Sequence, residues 1–417
     1  MKKLFLLAWP IALAAVSCSN EEVVSVNNDA NEIKFAVVSE NATRANSTET
    51  FCNNAKPADF DVWAMTGTKS YFAGVNYSKQ ASGKWEATDQ SSVRFWPNGA
   101  DEALDFYAMR NYGTPNWTPA GTAKMTTEFT VKSDVDQQLD FIYAVETGKK
   151  NPATTENPHN GLTTLNFRHA LSQIVFTAQN TNKHLAVEIT KVEIINVASG
   201  GTCTLPTTST STNKVDHNGE NVGTNLDNIP DPTCTWAPES LTGKGTDYSV
   251  ATETCKMVGV TAVTNLTNGN EKLAVNDETG KKPTDNGWVP TYKRYLDKAM
   301  LLIPQETTKA TLSPTSKPSD VKVAADGGSM IAVHCTIWNL NEEGQLKATD
   351  VELYNGVAYI PFKADWKAGK KYIYNLVFGK ANGGYTPDGK DILVPISFDI
   401  TVDDFTTVVK EDVNMNL

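Results

Sequence analysis

The chain has 417 residues, 40% of them apolar and a further 27 of them glycine, close to the globular average and enough for two or three domains. Lys and Arg number 37 against 48 Asp and Glu, a net charge of −11. An acidic chain without long basic runs lacks the footprint of a nucleic-acid binder, and no such partner is expected. Its 49 threonines suit β structure better than a helical enzyme.

The first predicted element is an export signal. Lys2 and Lys3 precede the apolar run from Leu4 to Ala15, and Val16-Ser17-Cys18 follows. A positive start, a short apolar stretch and small residues describe a secretory signal, expected over residues 1–17. The run is too short to cross about 30 Å of hydrocarbon. Cys18, directly after the small residues, resembles the acylated cysteine of a bacterial lipoprotein, which implies an outer-membrane anchor through lipid on Cys18. Ala15 departs from that pattern, where Leu is commoner; an ordinary signal with an incidental Cys is the alternative. Ser19-Asn20-Glu21-Glu22 resembles the acidic tag of surface-exposed lipoproteins in some gut bacteria. No later stretch reaches 18 consecutive apolar residues, so lipid would be the anchor.

After a polar tether, Ile33, Phe35 and Val37 alternate with Lys34 and Ala36 and predict a strand of period two. Further strands are predicted at Asp61–Thr66, Tyr71–Val75, Arg94–Trp96, Ala103–Met109, Leu139–Val145, Thr164–Ala178 and Ala186–Val197. From Gly200 to about Gly287 the chain is rich in Thr, Asn, Gly and Pro, with few apolar anchors beyond Met257–Val260. Ala299–Ile303, Met330–Trp338, Val357–Phe362, Lys371–Phe378 and Ile392–Val402 complete a second set. Many short strands with Gly and Pro between them, and no sustained helical period, predict β-sandwiches. A division near Lys183 would leave two units of domain size, each able to hold a core.

The chemistry available is sparse. Beyond Cys18 the thiols are Cys52, Cys203, Cys234, Cys255 and Cys335, an odd number without a CxxC pair, so no zinc site is expected. One bridge among Cys203, Cys234 and Cys255 is compatible with an exported chain, but spacing does not fix the pairing. There is no HExxH, GxGxxG, P-loop or GxSxG pattern, so neither metal, cofactor nor catalysis is expected. His169 and Ser172 stand three apart in a strand-like run, on opposite faces, which argues against a nucleophile–base pair. Trp63, Trp96 and Trp338 lie in apolar strands and are expected in the core. Trp117, Trp236 and Trp288 lie in polar, Pro-rich contexts and are candidates for a sugar-stacking surface.

DVWAMTG at Asp61–Gly67, YFAGVNY at Tyr71–Tyr77, RFWPNGADEALDFYAMRNY at Arg94–Tyr112 and LTTLNFRHALSQIVF at Leu162–Phe176 are followed late in the chain by WKAGKKYIYNLVF at Trp366–Phe378 and ILVPISFDITVDDF at Ile392–Phe405. In that order they resemble the fimbrillin-like family of Bacteroides-type bacteria, whose members build protease-processed pili. The resemblance covers most of the chain and is weakest between Gly200 and Gly287. It implies an all-β fold of two tandem transthyretin-like Greek-key β-sandwich domains, here 45–183 and 184–417.

It also implies a lipoprotein precursor cut by an Arg-specific surface protease, leaving a groove that a strand of the next subunit fills. Arg44 is the only basic residue in the small, polar stretch Asn41–Thr50, and such loops are open to nicking. Cleavage between Arg44 and Ala45 would release residues 18–44, with the strand of Ile33, Phe35 and Val37. Loss of a strand exposes unpaired backbone and an apolar trough, which a donor strand restores. The donor candidate is the period-two face of Ile392, Val394, Ile396, Phe398, Ile400 and Val402; equally, this is the last strand of its own domain. Expected partners are other fimbrial subunits, the protease and a host or bacterial surface receptor. The alternative is a surface lipoprotein that binds glycans or anchors a fimbrium without polymerising.

Overall fold

A computed structural model describes residues 31–39, 59–79, 85–97, 102–118, 124–151, 162–210, 233–243, 246–266, 274–275, 291–292, 299–323, 327–379, 384–392 and 396–404. In chain order the strands are β1 (Lys34–Ser39), β2 (Asp59–Thr66), β3 (Lys69–Lys79), β4 (Trp85–Ala87), β5 (Leu104–Arg110), β6 (Thr114–Thr118), β7 (Lys124–Thr130), β8 (Ile142–Lys149), β9 (Leu162–His169), β10 (Ser172–Asn180) and β11 (Leu185–Val197). There follow β12 (Gly200–Thr204), β13 (Thr235–Trp236), β14 (Thr246–Val258), β15 (Thr264–Asn265), β16 (Ala274–Val275), β17 (Thr291–Tyr292), β18 (Met300–Leu302), β19 (Met330–Asn339), β20 (Val351–Pro361), β21 (Lys370–Phe378) and β22 (Ile396–Asp404). A short α-helix, Pro318–Val323, lies among them. The fold is all-β, as the punctuation of short strands predicts.

The first sheet closes on itself in the order β1-β4-β3-β2-β5-β8-β9. Its interior is aromatic: Phe35, Phe60, Tyr77, Trp85, Trp96, Phe106 and Phe167 are buried there among Val62, Ala64 and Leu165. Strands β2, β5 and β8 are neighbours and buried on both faces, so they read as nearly continuous apolar runs. Val62, Phe106 and Ala144 point into the ring, whereas Trp63, Tyr107 and Tyr143 point outward into a second, larger core.

That larger core continues into two four-stranded ladders, β14-β11-β19-β20 and β15-β10-β21-β22, the latter extended by β18. Val187, Ile189, Ile331 and Val333 from the first ladder bury with Ile174, Phe176, Tyr374 and Leu376 from the second. The side chains of one face of each ladder thus alternate inward, as packed sheets require. Trp366 donates its indole N–H to the Tyr374 hydroxyl at 2.9 Å inside this core. A further sheet, β13-β12-β7-β6, covers the outer wall of the ring. Tyr107 meets Trp117 with ring centroids 5.5 Å apart, and Phe141 meets Phe129 at 5.3 Å.

The run Thr164–Ala178 is two strands, not one. Strand β9 belongs to the ring, and β10 pairs in parallel with β21 from Gln173 opposite Lys371 to Asn180 opposite Phe378. The change of sheet falls at Ala170-Leu171. Ala170 N–H bonds Phe141 O at 2.9 Å, and Leu171 O accepts from Gly369 N–H at 3.0 Å.

Candidate strand-exchange site

Strand β1 is the closing stave of the ring. It runs parallel to β9, from Lys34 opposite Leu162 to Ser39 opposite Phe167. Its other edge is held more lightly: Phe35 stands opposite Trp85 in antiparallel register. Just upstream, Ile33 N–H donates to Arg94 O and Trp96 N–H to Asn31 O, both at 2.8 Å. Lys34, pointing away from the ring, reaches Glu32 at 3.1 Å and Glu86 at 3.4 Å. Burial lowers the Lys34 pKa, but the hydrogen bonds and charges of Glu32 and Glu86 outweigh it and leave the pKa raised.

The alternation read from the sequence is the geometry of this strand. Ile33 and Phe35 are buried, and Val37 packs half-buried against the same core. Phe35 is 0% exposed, and its ring lies 4.8 Å from Tyr77, 5.3 Å from Phe106 and 6.3 Å from Phe60, centroid to centroid. Edge-to-face pairs of this kind add roughly 0.5–1.5 kcal/mol each to simple burial. The Tyr77 hydroxyl is buried beside Phe35 with no hydrogen-bond partner among the described residues, and burial raises its pKa well above the ordinary range. Removal of β1 would unpair the β9 edge and empty the space that Ile33 and Phe35 fill. At about 1.5–3 kcal/mol per side chain, those two contribute roughly 3–6 kcal/mol of burial.

Cys18, Arg44, Ala45 and Cys52 lie outside the described residues. Of the donor candidate, the part from Ile396 is β22, antiparallel to β21 from Ile396 opposite Phe378 to Asp404 opposite Lys370. It is the edge of its ladder. Ile392 and Ile396 are buried and Ile400 is 44% exposed. Phe398 stands opposite Leu376 and Val402 opposite Tyr372, while Val394 lies outside the described residues.

The remaining candidates sort by burial. Trp63 and Trp96 are in the core. Trp338 is half-buried, with the Lys256 ammonium 5.9 Å from its ring. Trp117 and Trp236 are not a free sugar-stacking surface: both pack against the larger core, and Trp236 donates to Ala170 O at 2.9 Å. Polar neighbours in the sequence concealed this, because the flanking β6, β7 and β13 form a cover over the ring. Trp288 lies outside the described residues. His169 bonds Asp140 at 2.6 Å and Ser172 donates to Lys367 O at 2.8 Å, so the two are committed elsewhere. Among the described residues no group of His, Cys, Asp and Glu has the arrangement of a metal site.

The sequence model of the fimbrillin-like family matches residues 43–235. This stretch is fimbrillin-like. Among solved structures, the chain is similar to a fimbrial protein from Bacteroides vulgatus ATCC 8482, at 12% identity over 90% of this chain and 100% of that one, with a TM-score of 0.49. It is also similar to a fimbrilin from Porphyromonas gingivalis W83, at 12% identity over 90% of this chain and 97% of that one, with a TM-score of 0.37. No curated protein matches it in sequence. The fimbrillin-like match takes in β2 to β12 and ends at the first residue of β13, so it covers the ring's wall and most of its cover, and it begins one residue before Arg44.

Proposed function

We propose that this chain is a non-catalytic structural and adhesive subunit of a cell-surface fimbrium, exported as a lipoprotein through Cys18 and assembled by protease-triggered strand exchange. The observation that carries the reading is β1: a short stave, held laterally by one parallel ladder and a few bonds, that supplies the central aromatic side chain of the ring. Such a strand is separable from the rest of the sheet, and its loss leaves a defined vacancy rather than a collapsed fold. The ring keeps its other aromatic residues, and its wall β2-β5-β8 stays packed on the larger core.

Cleavage between Arg44 and Ala45 by an Arg-specific surface protease removes residues 18–44, and with them both the lipid and β1. The exposed β9 edge then accepts a donor strand of the next subunit, whose alternate side chains fill the trough. The face from Ile392 to Val402 is the donor candidate. Among the described residues β22 is an edge paired with β21, so leaving its ladder breaks that one pairing and draws Ile396 out of the larger core. Mass spectrometry of filaments shed from cells tests the reading. A mature chain beginning at Ala45 is expected, whereas only intact chains acylated at Cys18 would contradict it.

A further inference from the structure

We propose that Cys203 and Cys234 form a disulfide in the exported protein, joining β12 to the residue before β13 and closing the loop whose Thr210 bonds the strand β9 that supports β1. The ladder of β12 and β13 places Cys203 opposite Trp236 and Thr204 opposite Thr235. Cys234 lies one residue beyond that ladder, and continued side-chain alternation puts it on the same face as Cys203, as a diagonal neighbour at about 7–8 Å between Cα atoms, the upper edge of what a bridge spans. Both side chains are buried in one core, at 0% and 4% exposure, and burial together with the neighbouring Cys234 thiol raises the pKa of the Cys203 thiol. Cys234 is fixed from two sides: its N–H donates to the Tyr143 hydroxyl at 2.7 Å, and its thiol faces Ala170 O at 3.9 Å. Each is a thiol in this structure.

The other described cysteines cannot do the same with each other. Cys255 and Cys335 both stand opposite Ile189, on its two sides. Two strand spacings, about 9.5 Å, then separate them, beyond the roughly 7 Å limit between Cα atoms for a bridge.

The segment leaving Cys203 is a brace. Leu205 N–H bonds Met125 O at 2.9 Å, and Thr210 N–H bonds Val145 O at 2.7 Å. The Thr210 hydroxyl donates to Asn166 O at 2.8 Å, and its carbonyl accepts from Arg168 at 2.8 Å. Asn166 lies on β9, opposite Val38 of β1. A covalent link from Cys203 to Cys234 closes the loop that contains this brace, and so holds the β8–β9 wall while β1 is absent. In forming it, the two thiols lose two protons and two electrons, and one S–S bond forms. The acceptor is an exported protein or small-molecule disulfide, reduced to its two thiols.

Exposure to that oxidant rests on the surface-subunit reading, so the test has two arms. In the first, the full chain is purified from exporting cells and denatured in alkylating reagent without reductant. Cys203 and Cys234 are expected to escape alkylation, to yield one crosslinked peptide pair, and to become alkylatable after reduction. In the second, the reduced full chain is refolded in a glutathione disulfide buffer. The same pair is expected to form, and the melting temperature to rise by about 5–15 °C. The C203S/C234S variant should show no such reductant-dependent shift. Free Cys203 and Cys234 in both arms, or a bridge from either to Cys52, would overturn the assignment. A bridge in the buffer alone would overturn the cellular claim and place the failure in the compartment rather than in the geometry.

Discussion

Phe35 and Tyr77 meet edge to face in the middle of the ring, with centroids 4.8 Å apart and planes at 76°. One belongs to the strand that the account removes, the other to the wall that remains. The energy of that contact, and of its neighbours at Phe60 and Phe106, is what an incoming strand must replace.

Truncation of the plug measures its worth in the unprocessed chain. Phe35→Ala is expected to cost about 3–5 kcal/mol in the full-length protein, the range for a fully buried Phe. Urea unfolding monitored by the ring tryptophans Trp85 and Trp96 would read it. The same substitution should leave the protein after cleavage at Arg44 unchanged, because residue 35 is no longer present.

Arg44 sets the processing step in this account. Arg44→Gln is expected to abolish the chain beginning at Ala45 and the polymer ladders on gels run without boiling. The folded precursor should remain, since one side chain in a polar linker has little bearing on the cores. Ladders of normal length from the variant would move the cleavage elsewhere.

The donor face carries one aromatic residue, Phe398, between Ile396 and Ile400, the same order of shapes as Ile33, Phe35 and Val37. Phe398→Ala is therefore expected to shorten the ladders more than Val402→Ala, which lies at the end of the face. Removal of residues 396–417 should abolish the ladders while the ring still protects its β2 and β5 amides in hydrogen exchange. In the monomer that deletion also uncovers β21, so a lower melting temperature of the C-terminal ladders accompanies it.

A pH effect is expected on β11. Glu193 is held by Lys191 and by His334, whose Nε2 lies 2.8 Å from its carboxylate. Burial pushes the Glu193 pKa up, but these partners outweigh it and leave it below its ordinary 4.5. Since the folded state binds this proton less tightly than the unfolded chain, the stabilisation is present above about pH 4.5 and fades as pH falls through the lowered value. Nearby Tyr359 stays protonated across this range, its own pKa raised by burial and by Glu193. Glu193→Gln should flatten the loss of urea midpoint between pH 6 and pH 3 that the wild type shows.

Much of the ring was legible because its physics is local to each strand. Period-two alternation gave Ile33, Phe35 and Val37, and the run Phe106-Tyr107-Ala108-Met109 read as a strand, which the structure buries on both faces. Other parts carried no such mark. The 13-residue strand β14 reads TDYSVATETCKMV and lies at a sheet edge, where one backbone edge and much of one face need no apolar partner. Strands β6, β7 and β13 are short and polar because they form a cover, and their few aromatic residues looked like surface. The change of sheet at Ala170-Leu171 has neither Gly nor Pro, so an unbroken apolar run concealed two strands bound for different ladders. The pairing of Cys203 with Cys234 depends on the register of β12 and β13, which spacing along the chain does not encode.

Hydrogen exchange at the backbone amides of Thr163–Phe167 tests the central claim most directly, because these residues form the β9 edge that β1 covers. The account predicts slow exchange in the precursor, fast exchange in the monomer cleaved at Arg44, and slow exchange again in the assembled filament. Equal protection in the precursor and the cleaved monomer would mean that β1 leaves no vacancy, and would contradict it.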